Sequence, residues 1–288
     1  MRPLMKRLLT ALRSPAAALS AAFLLVTALL GLAAPLLPLA APDAVDFGAK
    51  FAPPSGAHWL GADLLGRDVL SRLIWGVRET LFTACAAMTA TLTLGILAGG
   101  AAGAAGGALD RVLMRVADGW MSIPSEVMIL ALAGMLGPSP GSIVFACAAA
   151  KWPWYARMIR TFIRRTAQTD FVRFSRTAGV TGLRIFTTHL LPNAAGEVFV
   201  IATLDAGSVI LMISTLSFLG LGAAAPSSEW GMMLADARNV MMLNPWQMLP
   251  PGLMILGSAA AFNFLGDVLR DAFDPQARTS SDALGARS

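Results

Sequence analysis

The sequence predicts an all-α, polytopic membrane protein with six transmembrane helices and both termini in the cytoplasm. Hydrophobic residues make up 56% of its 288 residues and charged residues only 14%, whereas an ordinary soluble domain carries roughly 25% charged residues. So little polar surface cannot cover so much apolar mass in water. The chain also contains six apolar stretches near the roughly 20 residues that a helix needs to cross a bilayer, and its basic segments fall on one side of them.

The first two spans are uncharged stretches. Residues 14–42 carry no charge until Asp43 and predict the first transmembrane helix. A cleaved signal peptide is the alternative, because residues 1–13 are basic and small residues precede Pro42. Its apolar core would be far longer than the roughly 7–15 residues of a signal peptide, which favours an uncleaved helix. Residues 80–109 are rich in Gly and Ala and predict the second helix.

Four further spans follow. Residues 116–158 are interrupted by the sequence Gly-Pro-Ser-Pro-Gly at 137–141, which is a turn signal and predicts two helices joined by a tight hairpin. The fifth span is predicted at about residues 194–222 and the sixth at about residues 248–269.

The distribution of Lys and Arg sets the orientation, because short cytoplasmic segments carry the excess of basic residues. With six crossings, all basic segments fall on the cytoplasmic side: the N-terminal tail 1–13, the connection between spans two and three, the loop 157–193 and the C-terminal tail 271–288. The loops 43–79 and 223–247 then face the outside. Residues 80–270 form a transmembrane core of five helices.

The composition excludes several classes of function. Cys85 and Cys147 both lie in apolar stretches, and two cysteines make neither a disulfide framework nor a zinc site. His58 and His189 are the only histidines, so a His-rich metal site cannot form within the chain. Basic residues lie between apolar stretches instead of on one clustered face, which argues against a nucleic-acid partner. We therefore expect no catalytic residue, no metal site and no cofactor.

The cytoplasmic loop 157–193 is longer than a simple connector and is patterned as two amphipathic helices. Their apolar faces are Phe171, Phe174 and Ala178, followed after Gly179 by Leu183, Phe186 and Leu190. Pro192 suits the start of a new helix. Two functions fit this pattern equally: a basic segment that rests on anionic membrane lipid, and an apolar helix that inserts into a groove on a soluble partner.

Asp205 is an acidic residue well inside the fifth span. A carboxylate at mid-span costs roughly 2.5–3.5 kcal/mol on insertion scales, so it should face the bundle interior or a wet pathway. One hypothesis is that it lines a pathway and attracts a cationic or metal-bearing substrate. The favoured alternative is a structural pair with a polar group on another helix. Glu126 and Lys151 are expected to snorkel or to pair near the ends of their helices.

Charged residues also cluster in the two outer loops. The first group is Asp63, Arg67, Asp68 and Arg72, and the second is Glu229, Trp230, Asp236 and Arg238. Exposed ion pairs contribute little to stability, yet in a gate at the outer mouth they could hold a closed state. We favour a structural role for the first group and place the gate second. The second group is a candidate docking and gate element, although Trp230 and Trp246 also suit interfacial anchors.

Four motifs resemble one family of membrane proteins. Residues 171–179 with Leu191-Pro192-Asn193 resemble the "EAA" coupling loop of inner-membrane permeases from ABC importers. Residues 58–73, 217–234 and 262–275 resemble motifs of the dipeptide/oligopeptide/nickel branch of that family. The resemblance covers roughly residues 56–276 in the expected order.

The resemblance implies the type I importer permease fold in a bacterial inner membrane, and it implies partners. Two homologous permeases would form the pathway, two cytoplasmic ATPases would drive it, and an extracytoplasmic binding protein would deliver the substrate. The chain contains no GxxxxGK[ST] motif, so ATP hydrolysis would belong to separate subunits. The residues implied to couple to the ATPase are Phe171, Arg173, Phe174, Ser175, Ala178, Gly179, Leu183, Leu191 and Pro192.

Two departures qualify what the resemblance implies. Arg173-Phe174-Ser175 stands where the motif begins Glu-Ala-Ala, so we assign docking to shape and apolar contact and no role to a carboxylate. The stretches 152–157, 202–205 and 228–230 resemble nickel permeases more than peptide permeases. The implied substrates are nickel, a metal–opine (metallophore) chelate or a di- or oligopeptide. The rival function is an ion-coupled secondary transporter with Asp205 as its proton site.

Overall fold

A computed structural model of the protein describes residues 14–273. The predicted N-terminal tail, 1–13, and all of the C-terminal tail beyond residue 273 lie outside the described residues. Within residues 14–273 the regular structure is helical, apart from one isolated antiparallel bridge between Ala62 and Asp68. The predicted all-α class is therefore confirmed for this part of the chain.

The first helix, α1, spans Pro15–Ala33 and continues as a 3-10 turn over Ala34–Leu36. It begins at Ser14, whose Oγ accepts a hydrogen bond from the backbone N of Ala17, with proline at the first helical position. An irregular connection with one 3-10 turn, Phe47–Ala49, follows on the outer side.

The second span begins earlier than the predicted residue 80. Helix α2, Val69–Val77, passes through a π-helical turn, Arg78–Phe82, into α3, Thr83–Ala105. Asp68 caps α2. Because the first turns of α2 and the π-helical turn carry charged residues that contact the outer loops, the prediction from hydropathy placed the start of this span too late. Gly106 and Gly107 both have positive φ and end α3.

Helix α4, Gly107–Trp120, meets α5, Ser125–Leu136, at an angle of 79°. The chain then turns at the predicted Gly-Pro-Ser-Pro-Gly sequence, where Gly137 has φ of +82°. Helix α6 covers Pro140–Ala167 and begins at Ser139, whose Oγ accepts from the backbone N of Ser142. Its last three turns occupy residues that were assigned to the cytoplasmic loop 157–193.

The segment that was predicted to be the cytoplasmic loop 157–193 contains one separate short helix. Helix α7 spans Asp170–Thr177. The second predicted helix is not separate, because α8, Gly182–Ile185, runs through a π-helical turn, Phe186–Leu190, directly into α9, Leu191–Phe218. Pro192 stands in the first turn of α9, as predicted, but no break in the chain separates α9 from the turn before it. A π turn just before the proline relieves the clash of its ring with the preceding carbonyl.

Helix α10, Trp230–Arg238, lies in the outer loop. A 3-10 turn, Pro245–Met248, then leads into α11, Leu249–Phe273. Within residues 14–273, four helical stretches are long and apolar enough to cross a membrane: Pro15–Leu36, Val69–Ala105, Gly182–Phe218 and Pro245–Ala272. The bent pair α4 and α5 is a fifth candidate if it counts as one span.

Helix α6 lies outside the four described stretches that length and hydropathy select, although the sequence predicts a span there, and it packs at the centre of the bundle. Glycines of α3 allow the backbones of α3 and α6 to touch: a Cβ on Gly99 would lie 2.2 Å from the carbonyl O of Ala156, and one on Gly95 would lie 2.6 Å from the Cβ of Tyr155. Gly207 of α9 similarly lies against Ala259 of α11. Small residues that permit such close approach replace the hydrophobic driving force that is missing in lipid.

Candidate functional site

Four charged side chains join the two outer loops in what we call the outer network: Asp63, Arg67, Arg72 and Asp236. Asp63 Oδ2 accepts from Arg67 Nε at 2.7 Å and from Arg72 Nη1 at 2.8 Å. Asp236 Oδ2 of α10 accepts from Nη2 of the same arginines at 2.8 and 3.2 Å. Each carboxylate thus contacts both guanidinium groups.

Local turns hold this network in place. The carboxylate of Asp63 also accepts from the backbone N of Leu65 at 2.8 Å and of Arg67 at 3.0 Å, and Gly66 turns the chain between them with φ of +75°. Asp68 has a different task, since it caps α2 through the backbone N of Ser71 at 2.7 Å. Its other oxygen lies 3.0 Å from His58 Nδ1.

Three of the four members of the outer network are buried, and the side chain of Asp236 is 37% exposed, so the argument from weak exposed ion pairs does not apply to Asp63, Arg67 and Arg72. Arg72 is only 1% exposed, and Asp63 and Arg67 are each 5% exposed. Arg72 Nη2 also donates to the carbonyl O of Ser227 at 2.7 Å, which ties α2 to the outer loop. In such a site, breaking the network by removing one partner costs about 3–5 kcal/mol because the remaining charge is left uncompensated.

Glu229 and Trp230 form a second buried contact between the outer loop and the second span. Glu229 Oε1 accepts from Thr80 Oγ1 at 3.0 Å, and Oε2 caps α10 by accepting from the backbone N of Met232 at 2.9 Å. Burial raises the pKa of the Glu229 carboxyl above its ordinary value. The indole N–H of Trp230 donates to the carbonyl O of Leu73 at 3.0 Å.

The interfacial-anchor interpretation is wrong for Trp230, which is fully buried. Trp246 is exposed. Gly76 explains the close fit around Trp230, because a Cβ there would lie 2.3 Å from the carbonyl O of Ser228. Arg238 does not join the outer network: its guanidinium lies over the ring of Phe218, 4.9 Å from the ring centre.

Sequence reasoning missed the polar groups that complete these contacts. Glu79 accepts from the hydroxyl of Ser227 and from the backbone N of Ser228. Thr80 accepts from the backbone N of Trp230 while it donates to Glu229. An acidic residue at the start of an apolar stretch, as Glu79 is, was the available signal.

Asp205 is paired across two helices at mid-span. Its carboxylate lies 2.6 Å from Lys151 Nζ of α6, and the hydroxyl of Tyr155 donates to Oδ2 at 2.9 Å. Asp205 is thus not an isolated negative charge. Lys151 was expected to snorkel or to pair near the end of its helix, but it pairs with Asp205 inside the bundle.

This ion pair lines a cavity of about 670 Å³ among α5, α6 and α9. We call it the mid-span cavity. Besides Lys151 and Asp205, its lining includes Ser125, Glu126, Trp154 and Ser208. Both members of the pair remain 20% exposed, so the charges are partly accessible from the cavity.

The cytoplasmic turn after α7 has a defined geometry. Gly179 has φ of +77°, Val180 N donates to the carbonyl O of Ser175 at 3.1 Å, and Gly179 N donates to that of Arg176 at 3.1 Å. These two bonds form a Schellman motif, which needs a left-handed residue at the position of Gly179. The predicted hinge at Gly179 is therefore present as a fixed turn.

The apolar residues of this segment divide into two groups. Val172, Ile185 and Leu190 are buried in the bundle. Phe174 and Leu183, by contrast, are 74% and 76% exposed, and Phe171 is also exposed. Leu190 and the partly buried Phe186 therefore hold the segment to the bundle instead of facing a partner.

The remaining residues assigned to coupling lie around these exposed groups. Arg173, Ala178 and Pro192 are exposed, and Leu191 is partly buried. Ser175 Oγ donates to the carbonyl O of Phe171 within α7 at 2.8 Å. No carboxylate occupies the place of Arg173, so the exposed chemistry here is apolar and cationic.

Ion pairs tie the inner ends of the helices together. Asp110 of α4 accepts from Arg160 Nη2 at 2.8 Å and from Arg164 Nη2 at 2.7 Å. Further pairs join α6 to α4 and α9: Arg157 with Asp118, and Arg165 with Glu197. These arginines, which were assigned to a loop from the sequence, therefore belong to α6 and join it to α4 and α9.

Within residues 14–273, no three His, Cys, Asp or Glu side chains come together in a way that could hold a metal ion. The described bundle offers polar sites at its outer mouth and at mid-span, together with an exposed apolar turn at its inner end. Together with four helical stretches of residues 14–273 that are long and apolar enough to cross a membrane, these features indicate a membrane-embedded helical protein.

The comparisons with known proteins show which kind. Residues 67–279 match the family of binding-protein-dependent transport system inner membrane components, and the chain belongs to that family. It is 41% identical over 234 residues to the nickel transport system permease protein NikC of Escherichia coli (strain K12). The aligned residues make up 81% of this chain and 84% of that protein.

Two other relatives are matched over even more of the chain. The metal-staphylopine import system permease protein CntC of Staphylococcus aureus (strain NCTC 8325 / PS 47) is 40% identical over 281 residues, 98% of this chain and 96% of that protein. The probable D,D-dipeptide transport system permease protein DdpC of Escherichia coli (strain K12) is 38% identical over 264 residues, 92% and 89% of the two chains.

These matches confirm the resemblance to ABC importer permeases and with it the inner-membrane location. The chain is a non-catalytic permease component of an ATP-driven, binding-protein-dependent importer. The alternative of an ion-coupled secondary transporter receives no support from them.

The outer network yields the first prediction. Arg72→Met should lower the stability of the purified protein by about 3–5 kcal/mol, because Asp63 and the carbonyl of Ser227 lose a buried partner. Arg238→Met is the matched control and should change stability by about 1 kcal/mol or less, since it removes only an exposed cation–π contact. Thermal unfolding in detergent measures both, and equal effects would contradict a buried network.

The second prediction concerns pH. Because burial raises the pKa of Glu229 in the folded state, the native protein holds a proton where the unfolded chain has released it, and stability is lost as the pH rises above the ordinary carboxyl value. Glu229→Gln has no carboxyl group to titrate at this position, so it does not lose stability for this reason as the pH rises. The unfolding temperature of Glu229→Gln minus that of the wild type should therefore grow between about pH 5 and about pH 8.

Glu229→Ala provides the control for this experiment. It removes the hydrogen bonds with Thr80 and Met232 at every pH, so it should destabilise the protein at both ends of the range. A difference between wild type and Glu229→Gln that stays constant or shrinks as the pH rises would contradict the raised pKa.

Proposed function

We propose that the chain forms half of the translocation pathway of an ABC importer, paired with a second homologous permease. Two cytoplasmic ATPases drive the pathway, and an extracytoplasmic binding protein delivers the substrate. The observation that carries this proposal is the exposed apolar turn around Gly179 in a chain that belongs to the permease family and contains no nucleotide-binding motif of its own.

The proposed topology has six spans with both termini in the cytoplasm. Helix α6 is the span that hydropathy does not recognise, and its 28 residues give a length of about 42 Å. The third span is the bent pair α4 and α5, because the 12 residues of α5 alone cover only about 18 Å. The outer network contacts the start of α2, whereas Arg160 and Arg164 contact Asp110 just beyond the end of α3. The two charged regions thus lie at opposite ends of one continuous helical stretch, as alternating loops require.

We propose that the ATPases act on the permease at the turn around Gly179. Phe171, Phe174 and Leu183 present apolar side chains to a groove on an ATPase, a helix-in-groove contact. Because α8 is continuous with α9, a push on this turn moves a whole transmembrane helix without an intervening joint. The amphipathic pattern also fits contact with anionic membrane lipid, which is the alternative to docking on an ATPase.

The outer side is proposed to receive the binding protein. The outer network and Glu229 join α10 to the first turns of the second span. α10 can therefore transmit a contact with a docked protein directly to that span. Arg238 and Trp246 are exposed on this side and suit a docking surface better than a gate.

The proposed substrate is nickel, a metal–opine chelate or a di- or oligopeptide. These are the cargoes that the names of the three relatives describe. The described residues contain no cluster of metal ligands, so any metal crosses with ligands that it brings along or meets in the partner permease.

Co-purification tests the proposal as a whole. The tagged chain, expressed with its neighbours, should bring a second permease and an ATPase out of the membrane in detergent. Uptake of labelled nickel or labelled dipeptide into proteoliposomes should then require ATP and the binding protein. Active transport by a homodimer without an ATPase, or uptake that an uncoupler abolishes while ATP is held constant, would defeat it.

The docking turn can be tested at Gly179. Gly179→Trp should retain membrane insertion and assembly but separate ATP hydrolysis from uptake, because a bulky residue is strained at φ of +77° and alters the exposed surface. Gly179→Asn is the matched control, since asparagine tolerates the left-handed conformation. Parallel assays of ATP hydrolysis and uptake provide the measurement, and wild-type coupling in Gly179→Trp would count against docking at this turn.

A further inference from the structure

The mid-span cavity is not accounted for by docking, coupling or gating. Asp205 lies 14 residues from the start of α9 at Leu191 and 13 residues from its end at Phe218. The continuous helical stretch that contains it runs from Gly182 to Phe218, so Asp205 lies well inside an apolar segment that is long enough to cross a bilayer. A charge at that depth should face the bundle interior or a wet path.

We propose that Lys151 and Asp205 form a recognition site for a dipolar, amino-acid-derived solute, one that carries a carboxylate beside a cationic centre. The cationic centre is the ammonium group of a peptide or a metal chelated by amino-acid groups. This inference rests on the proposed transport function and specifies its substrate class.

The charge pattern of the pair carries the argument. A positive and a negative group lie side by side, 2.6 Å apart, and each is 20% exposed. A solute carboxylate can take the place of Asp205 at the ammonium group of Lys151, while the solute's cationic centre takes the place of Lys151 at Asp205. Two charge-assisted contacts replace one internal pair, and a dipolar solute adds no net charge to the site.

The surroundings fit such a ligand. Tyr155 fixes the carboxylate of Asp205 through a hydrogen bond to Oδ2, so the acceptor stays oriented when Lys151 turns to a ligand. Ser125, Glu126 and Ser208 offer further polar groups around the opening. The volume of about 670 Å³ lies within the roughly 300–1,000 Å³ of small-molecule sites.

The same pattern disfavours a bare divalent cation. Lys151 pairs with Asp205 and repels an incoming positive ion at that point, and Glu126 is the one further acidic residue among those that line the cavity. No group of three potential metal ligands exists within the described residues to replace its hydration shell. Asp205 therefore selects the cationic end of a dipolar solute and does not act as an isolated cation trap.

The test removes both charges together in the complete importer with its ATPases and binding protein. Lys151→Met combined with Asp205→Leu avoids a lone buried charge, and an apolar pair of similar volume often replaces a buried ion pair at no cost in stability. Lys151→Gln combined with Asp205→Asn is the second variant, which keeps polar contacts if the apolar pair does not assemble. Thr203→Val, on α9 in a different groove, is the control.

Three labelled probes are compared: L-alanyl-L-alanine, nickel with excess L-histidine, and nickel without a chelator. The wild type should take up at least one of the first two. In the double variants, assembly and the ATP hydrolysis stimulated by the binding protein should persist, whereas that uptake falls about tenfold or more. Thr203→Val should transport as the wild type does.

Each other outcome is decisive. Wild-type uptake in the double variants would show that the pair is only a structural tie between α6 and α9 and would overturn the inference. So would a wild type that takes up chelator-free nickel alone. Failure of the proposed function is recognised separately, because then the wild type transports none of the probes or lacks an associated ATPase.

Discussion

Charges buried in an apolar body must be paired, and this constraint organises the whole protein. The outer network, the Lys151–Asp205 pair and the contacts of Asp110 each join residues from different helices or loops. In lipid the hydrophobic effect gives neighbouring helices little reason to associate. Paired charges and close glycine contacts supply that reason instead, and they do so at both ends and at the centre of the bundle.

The sequence predicted those parts of the fold that depend on local chemistry. The turn at 137–141 and the hinge at Gly179 follow from the conformational freedom of glycine, and both are present. Asp205 stood out because a carboxylate in an apolar stretch demands a partner. The motifs around residues 171–179 and 58–73 identified the family, which the comparisons confirm.

The remaining features depend on contacts that a linear pattern does not contain. The start of the second span was misplaced because Arg72, Arg78 and Glu79 looked like loop charges, although two of them meet partners more than 140 residues away. Lys151 was not recognised as the partner of Asp205 for the same reason. The sequence also could not show that Phe174 and Leu183 face outward while Leu190 faces inward, since all lie on apolar faces.

The glycine contacts between α3 and α6 constrain how the molecule can change shape. With backbone against backbone at Gly99 and Ala156, neither helix can slide or roll past the other without collision. We therefore expect these two helices to move together as one rigid unit. The mid-span cavity lies where α5 and α9 pack against this pair of helices, so a shift of α5 or α9 relative to the pair would change the volume of the cavity.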